Sequence, residues 1–403
     1  MLLKSGFCNR NRCLFIVALP QKMLPSQRHL FDLTDDVAYL NGAYMSPQLK
    51  SVEAAGKIAL RRKNRPYEIQ LDDFFKPVQA LREAYAQLIN CPEPGRIALI
   101  PSVSYGMAAV ANNLKLQKGD NIVITQEQFP SNYYAWERVA HESGAQIRIV
   151  APPDEFPRAV AWNKATLDAI DERTAMVSLA HVHWADGTLF DLLAIRRRAT
   201  EAGALLVVDG TQSVGALPFD IQEIQPDALI CAAYKWLMGP YTTGLAYYGP
   251  AFDGGVPVEE NWINRRDSHD FRNLANYQPQ YQPLAARYNM GEQSNFVFVP
   301  MLETAIRQLL AWGVPNIQRY TRALMREPLQ QLEQLGCYVE PEAQRAHHLV
   351  GIRLPDGADM DRFRRQLQEE KVHVSIRGNA VRVSCHLYNE GWEAERLVGN
   401  CKM

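Results

Sequence analysis

ALLVVDGTQ, residues 204–212, decides how this chain is read. The apolar run Ala204 to Val208 ends in a carboxylate, and Gly210, Thr211 and Gln212 then form a polar turn. A short apolar segment bounded by turn formers fits a strand buried on both faces, with Asp209 at its carboxyl end. The next such run, Ala228–Ala232, leads into Ala233-Tyr-Lys-Trp-Leu-Met-Gly-Pro240. Lys235 therefore lies 26 residues after Asp209, just past the following strand. Its apolar neighbours are no surface composition, and such surroundings disfavour the ammonium form of a lysine.

The same pattern extends outward. Strand-like runs at 97–100, 122–125, 147–150, 175–180, 205–209, 228–232 and 244–248 alternate with helical periodicity, as in 131–143 and 192–202. Apolar strands separated by helices predict an α/β fold whose mainly parallel sheet is covered on both faces. Ligands bind such sheets beyond the carboxyl ends of the strands. Residues 252–287 are polar, aromatic and proline-bearing with little periodicity, and read as a long functional loop. Strands near 349–353, 372–376 and 380–384, with helices at 359–370 and 393–398, predict a smaller α+β unit closing the chain. The expected division is an N-terminal extension at 1–30 without fixed structure, a large domain at 31–290 and a small domain at 291–403.

At 403 residues the chain exceeds what one core usually holds. A formal net charge of −1 gives no electrostatic reason to expect nucleic acid or an anionic membrane as partner. Nine histidines and seven cysteines are dispersed, with no CxxC or HExxH, so no metal site is expected. Dispersed cysteines read as reduced thiols, which implies a cytoplasmic protein. The run Cys13–Pro20 behind Lys4, Arg10 and Arg12 resembles a signal sequence superficially. It is short, ends in Pro20, and lacks a small-x-small cleavage site.

An aspartate and a lysine at adjacent strand ends suit pyridoxal 5'-phosphate (PLP). The carboxylate keeps the pyridine nitrogen protonated, and the lysine forms the Schiff base and moves protons. Gln212 has reach for the cofactor's phenolic oxygen. Ser102-Val-Ser-Tyr-Gly106 opens a helix, where free N–H groups suit a phosphate, though a plain serine cap has the same sequence. Phe129, in Gln128-Phe-Pro-Ser-Asn132, is either a flat wall for the pyridine ring or an ordinary core residue. In His181-Val-His-Trp184, either His183 or Trp184 faces cofactor or substrate, and His181 reads as structural. Arg382, on a predicted strand, suits a substrate carboxylate or a structural ion pair.

Taken together, these motifs resemble the class V aminotransferases among the fold-type I PLP enzymes, which include cysteine desulfurases and kynureninases. The resemblance runs from about Tyr39 to Val398. It implies a pyridine-binding role for Asp209, a polar partner in Gln212, and the Schiff-base lysine, the catalytic residue, in Lys235. It also implies phosphate binding at Val103-Ser104, ring stacking at Phe129, and carboxylate binding at Arg382. Tyr234 looks like kynureninase, since desulfurases carry histidine there. The family's homodimer brings residues of one subunit to the other's phosphate, which makes Trp262 and Asn295 further cofactor-binding candidates. Two departures bear on the reaction. No cysteine lies between Cys337 and Cys385, whereas desulfurases require one shortly before the substrate arginine. Kynureninases usually have histidine where Gln212 stands. The implied activity is an aminotransferase acting on an amino acid or related amine. A C–C or C–S lyase or an epimerase is the alternative, and a non-catalytic PLP-fold binding protein comes last.

Overall fold

The computed structural model describes residues 23–154, 156–377 and 380–401. Its centre is a seven-stranded sheet. In chain order the strands are β1 (Ile97–Ile100), β2 (Asn121–Thr125), β3 (Gln146–Val150), β4 (Thr174–Ala180), β5 (Leu205–Asp209), β6 (Ala228–Ala232) and β7 (Gly244–Tyr248). They lie side by side as β1-β7-β6-β5-β4-β2-β3. Only β7 runs against its neighbours, β1 and β6, and the remaining pairs are parallel. The mainly parallel sheet expected from the apolar runs is present.

Alternation within each strand explains why both faces are covered. Ile97, Leu99, Val123, Val208 and Leu229 join one core, while Ala98, Ile100, Ile122, Val207 and Ile230 join the other. Successive side chains of a strand point to opposite faces, so a continuous apolar run is what a doubly covered strand requires. Helices Lys50–Arg62 and Lys76–Leu88 pack on the first core, and Val103–Asn113 and Tyr134–Ser143 on the second.

The small unit has its own core, built from Met325, Val350, Phe363, Val383 and Leu397 among others. Its sheet pairs Leu349–Arg353 antiparallel with Ala380–Ser384, setting Gly351 opposite Arg382. The strand expected at 372–376 is divided. Val372–His373 pairs with Ala38–Tyr39, and Ser375–Arg377 pairs with Ala380–Ser384. Helix Phe298–Trp312 packs in the large core through Val299, Leu302, Ile306 and Leu309, so the expected boundary at 291 falls ahead of a helix that belongs to the larger body.

Of the expected extension, residues 1–22 lie outside the described residues, while 23–30 are folded onto the C-terminal segment. The Gln27 N–H donates to the Leu387 carbonyl at 2.7 Å, and Ser26 donates to Glu390 at 2.9 Å. Arg28 is buried 3.4 Å from Glu393, a carboxylate that also accepts from the Tyr39 N–H at 2.9 Å. The sequence hid this clasp because its partners lie some 360 residues away. No helix among the described residues is long and apolar enough to cross a membrane.

Candidate active site

Two strand ends are stitched together where β5 and β6 finish. The Gly210 N–H donates to the Ile230 carbonyl at 2.9 Å, and the Ala232 N–H donates to Thr211 Oγ1 at 3.2 Å. A Cβ at Gly210 would stand 2.7 Å from Cys231 Sγ and Leu229 Cδ1, so a residue without a side chain is needed behind Asp209. Beyond β6 the chain turns back: the Met238 N–H donates to the Lys235 carbonyl and the Gly239 N–H to the Ala233 carbonyl. Trp236 and Leu237 are fully buried and anchor this turn. Both Asp209 and Lys235 thereby face one cavity of about 310 Å³.

That cavity brings together most of the sequence-derived residues. Val103, Ser104, Phe129, Asp209, Gln212, Tyr234 and Lys235 all line it. Burial lowers the Lys235 pKa to about 8, against the attraction of Asp209, with Arg382 and Arg377 lowering it further. Burial likewise raises the pKa of Asp209, partly offset by its hydrogen bonds with Thr211. The Thr211 N–H donates to Asp209 Oδ1 at 2.9 Å. Asp209 forms no ion pair within 4 Å among the described residues, so a protonated ring nitrogen would suit it. Ser102 caps the 11-residue helix Val103–Asn113 by accepting from the Tyr105 N–H at 3.2 Å, and Ser104 Oγ lies 2.9 Å from Ser102 Oγ. First-turn N–H groups and two hydroxyls meet the cavity there, as a phosphate requires. Phe129 forms one wall, with the Trp184 ring edge-on at 5.6 Å.

Trp184 is pinned at both ends. Its indole donates to the Glu127 carbonyl at 2.6 Å, and its own carbonyl accepts from Arg382 Nη1 at 2.6 Å. Arg382 Nη2 donates to Ser375 Oγ at 3.1 Å, while its Nε, buried, has no hydrogen-bond partner among the described residues. Burial lowers the Arg382 pKa to about 10, and Arg377 adds to this. Arg382 thus stands behind the Trp184 wall, and no carboxylate neutralises it within 4 Å among the described residues.

Besides Arg382, which lies behind the wall and does not itself line the cavity, three sequence candidates stand apart from it. His183 is fully buried, 3.3 Å from Asp186 and ring-to-ring with Trp162 at 5.0 Å. Trp262 packs edge-on against Phe74 and Phe271 beside a separate surface hollow. Asn295 caps helix Phe298–Trp312, its Oδ1 accepting from the N–H groups of Val297 and Phe298 at 3.1 and 2.8 Å. Sequence reading missed Tyr241, Thr242 and Thr243 in the cavity lining and Arg377, whose guanidinium lies 5.5 Å over the Trp184 ring. The threonines had a usable signal, two hydroxyls in the turn before a strand; an exposed arginine in a hairpin had none.

A mainly parallel α/β sheet with a buried aspartate, a buried lysine and a phosphate-suited helix start at its strand ends defines a PLP-dependent enzyme of fold type I. The aminotransferase class-V family model matches residues 70–396, and the chain belongs to that family. It is 32% identical over 346 residues to a probable cysteine desulfurase of Methanothermobacter thermautotrophicus, covering 80% of this chain and 82% of that one. It is 24% identical over 356 residues to isopenicillin N epimerase of Streptomyces clavuligerus, covering 81% and 85%. Among solved structures, a C-DES variant with glycine covalently linked to its PLP cofactor superposes with a TM-score of 0.81 at 18% identity, covering 93% and 98%.

Proposed function

We propose that this protein is an aminotransferase whose substrate is an amino acid or related amine carrying a carboxylate. When bound, PLP supplies an electron sink that makes the Cα proton of an amino substrate removable. Asp209 would hold the ring nitrogen's proton, Val103 and Ser104 the phosphate, Phe129 the ring face, and Gln212 and Tyr234 the remaining polar edge. Lys235 Nζ takes the Cα proton and returns it, since burial leaves its amine unusually free of a proton near neutral pH. Arg382 receives the carboxylate and so fixes the orientation of Cα.

One observation carries the choice of reaction. Among the described residues lining the cavity, Lys235 is the sole amine, and no histidine, cysteine or second carboxylate accompanies it and Asp209. A single mobile base supports moving one proton between two positions on the same side. It gives no thiol for sulfur transfer, and against a two-base epimerase it offers only hydroxyl side chains, with the Tyr234 phenol held protonated by burial. Cys385, the cysteine nearest in sequence to Arg382, is fully buried, and burial raises its thiol pKa far above the ordinary range. The homodimer stays part of the proposal, with Trp262 and Asn295 serving a neighbouring subunit's phosphate. Its support is that exposed Ile58 shares a surface hollow with Asn295, and exposed Tyr277 shares one with Trp262.

The test is to load the protein with PLP, confirm a visible band that Lys235→Ala abolishes, and screen amino acids. Stoichiometric release of the matching oxo acid, with the cofactor left in its amine form, is the expected result. Fragment release without that form would replace the proposal with a lyase, and inversion at Cα with solvent-hydrogen uptake would replace it with an epimerase.

A further inference from the structure

Gln212 lines the cavity, yet its side-chain amide is already engaged on the far side. Its Oε1 accepts from the Trp236 indole N–H at 2.9 Å, and its Nε2 donates to the Ala43 carbonyl at 3.1 Å. An indole nitrogen can only donate and a backbone carbonyl can only accept, so these two partners admit one orientation of the amide. The reversed amide would set N–H against N–H at Trp236 and oxygen against oxygen at Ala43. The orientation is therefore fixed by chemistry, and the unclaimed second N–H of Nε2 is what Gln212 can present to a ligand.

The main chain at this point is held as firmly. His348 Nε2 lies 2.7 Å from the Gln212 carbonyl oxygen, and His348 Nδ1 lies 2.9 Å from Gln318 Nε2. Gln318 Nε2 also donates to the Ala216 carbonyl at 2.6 Å, and Gln318 Oε1 accepts from the His347 N–H at 3.0 Å. His348 Nδ1 must then accept, which places its proton on Nε2, donated to Gln212. The Trp236 and His348 rings meet edge-on at 4.6 Å, and both residues are fully buried. Trp236 follows the reactive lysine, and His348 leads into the strand paired with that of Arg382.

We propose that Trp236 is a positioning residue: its indole N–H locks Gln212 so that an N–H, not a carbonyl oxygen, faces the phenolic oxygen of bound PLP. The inference rests on the PLP assignment and extends it to the cofactor's electronics. An N–H directed at that oxygen stabilises its anionic form, whereas a carbonyl would repel it.

The experiment is a pH titration of the visible band of PLP-loaded protein, which reports protonation at the cofactor and not turnover. Trp236→Phe keeps the ring and deletes the donor, and should raise the titration midpoint by about 1 pH unit, a tenfold change in proton affinity. Gln212→Met should raise it at least as far, and adding Trp236→Phe to Gln212→Met should shift it no further. An unmoved midpoint in loaded Trp236→Phe, or an undiminished shift in the Gln212→Met background, overturns the inference. Hydrogen exchange at the Trp236 indole of the unmutated holoenzyme tests the lock where a variant does not load: a protected N–H is expected, and exchange at the rate of an exposed indole overturns it. A wild-type protein with no visible band overturns the PLP assignment itself, a distinct failure.

Discussion

Lys235 offers the sharpest test, because the structure attaches a magnitude to it. Burial moves its pKa from 10.5 to about 8. At pH 7 about one amine in ten is then unprotonated, against about one in 3,000 for an unperturbed lysine, a difference of roughly 300-fold. Expressed as free energy, the ammonium form is disfavoured by about 3 kcal/mol relative to water. Cofactor-free protein should therefore react at Lys235 with a small amine-directed reagent along a pH profile centred near 8, followed by peptide mass spectrometry at that residue. Asp209→Asn removes the one group that raises this pKa, so the midpoint should fall and the rate at pH 7 should rise. A midpoint near 10, or an upward move in Asp209→Asn, would refute the reasoning. The linkage has a definite sign. The native lysine holds its proton less tightly than the unfolded chain, so its contribution to stability increases as pH rises from about 8 to 10.5.

Arg382→Leu should lower kcat/KM for carboxylated substrates by about 10- to 100-fold, the worth of a charge-assisted contact, while sparing the matching decarboxylated amines. Equal loss for both would make the arginine structural. Arg28→Ala leaves Glu393 buried without its cation, and urea unfolding should show a loss of about 3 kcal/mol. At Gly215 φ is +101°, and a Cβ would run into the Trp236 carbonyl oxygen. Gly215→Ala should therefore destabilise by about 1–3 kcal/mol, seen as a lower denaturation midpoint.

The amino-acid sequence by itself determined the parts that depend on local pattern. Near-continuous apolar runs specified the strands of the central sheet, because a strand covered on both faces buries successive side chains alike. Asp209 and Lys235 were legible because each interrupts such a pattern, a charge at the end of a buried strand and an amine among apolar neighbours. Only the tertiary structure decided between Trp184 and the adjacent His183, since one residue of register sends neighbouring side chains to opposite sides. It also decided that residues 23–30 clasp the C-terminal segment, that helix Phe298–Trp312 belongs to the large core, and that Trp236 and Ala43 fix the Gln212 amide. In each case the partners are distant in sequence, and no local propensity encodes a hydrogen bond whose other half is supplied by the folded chain.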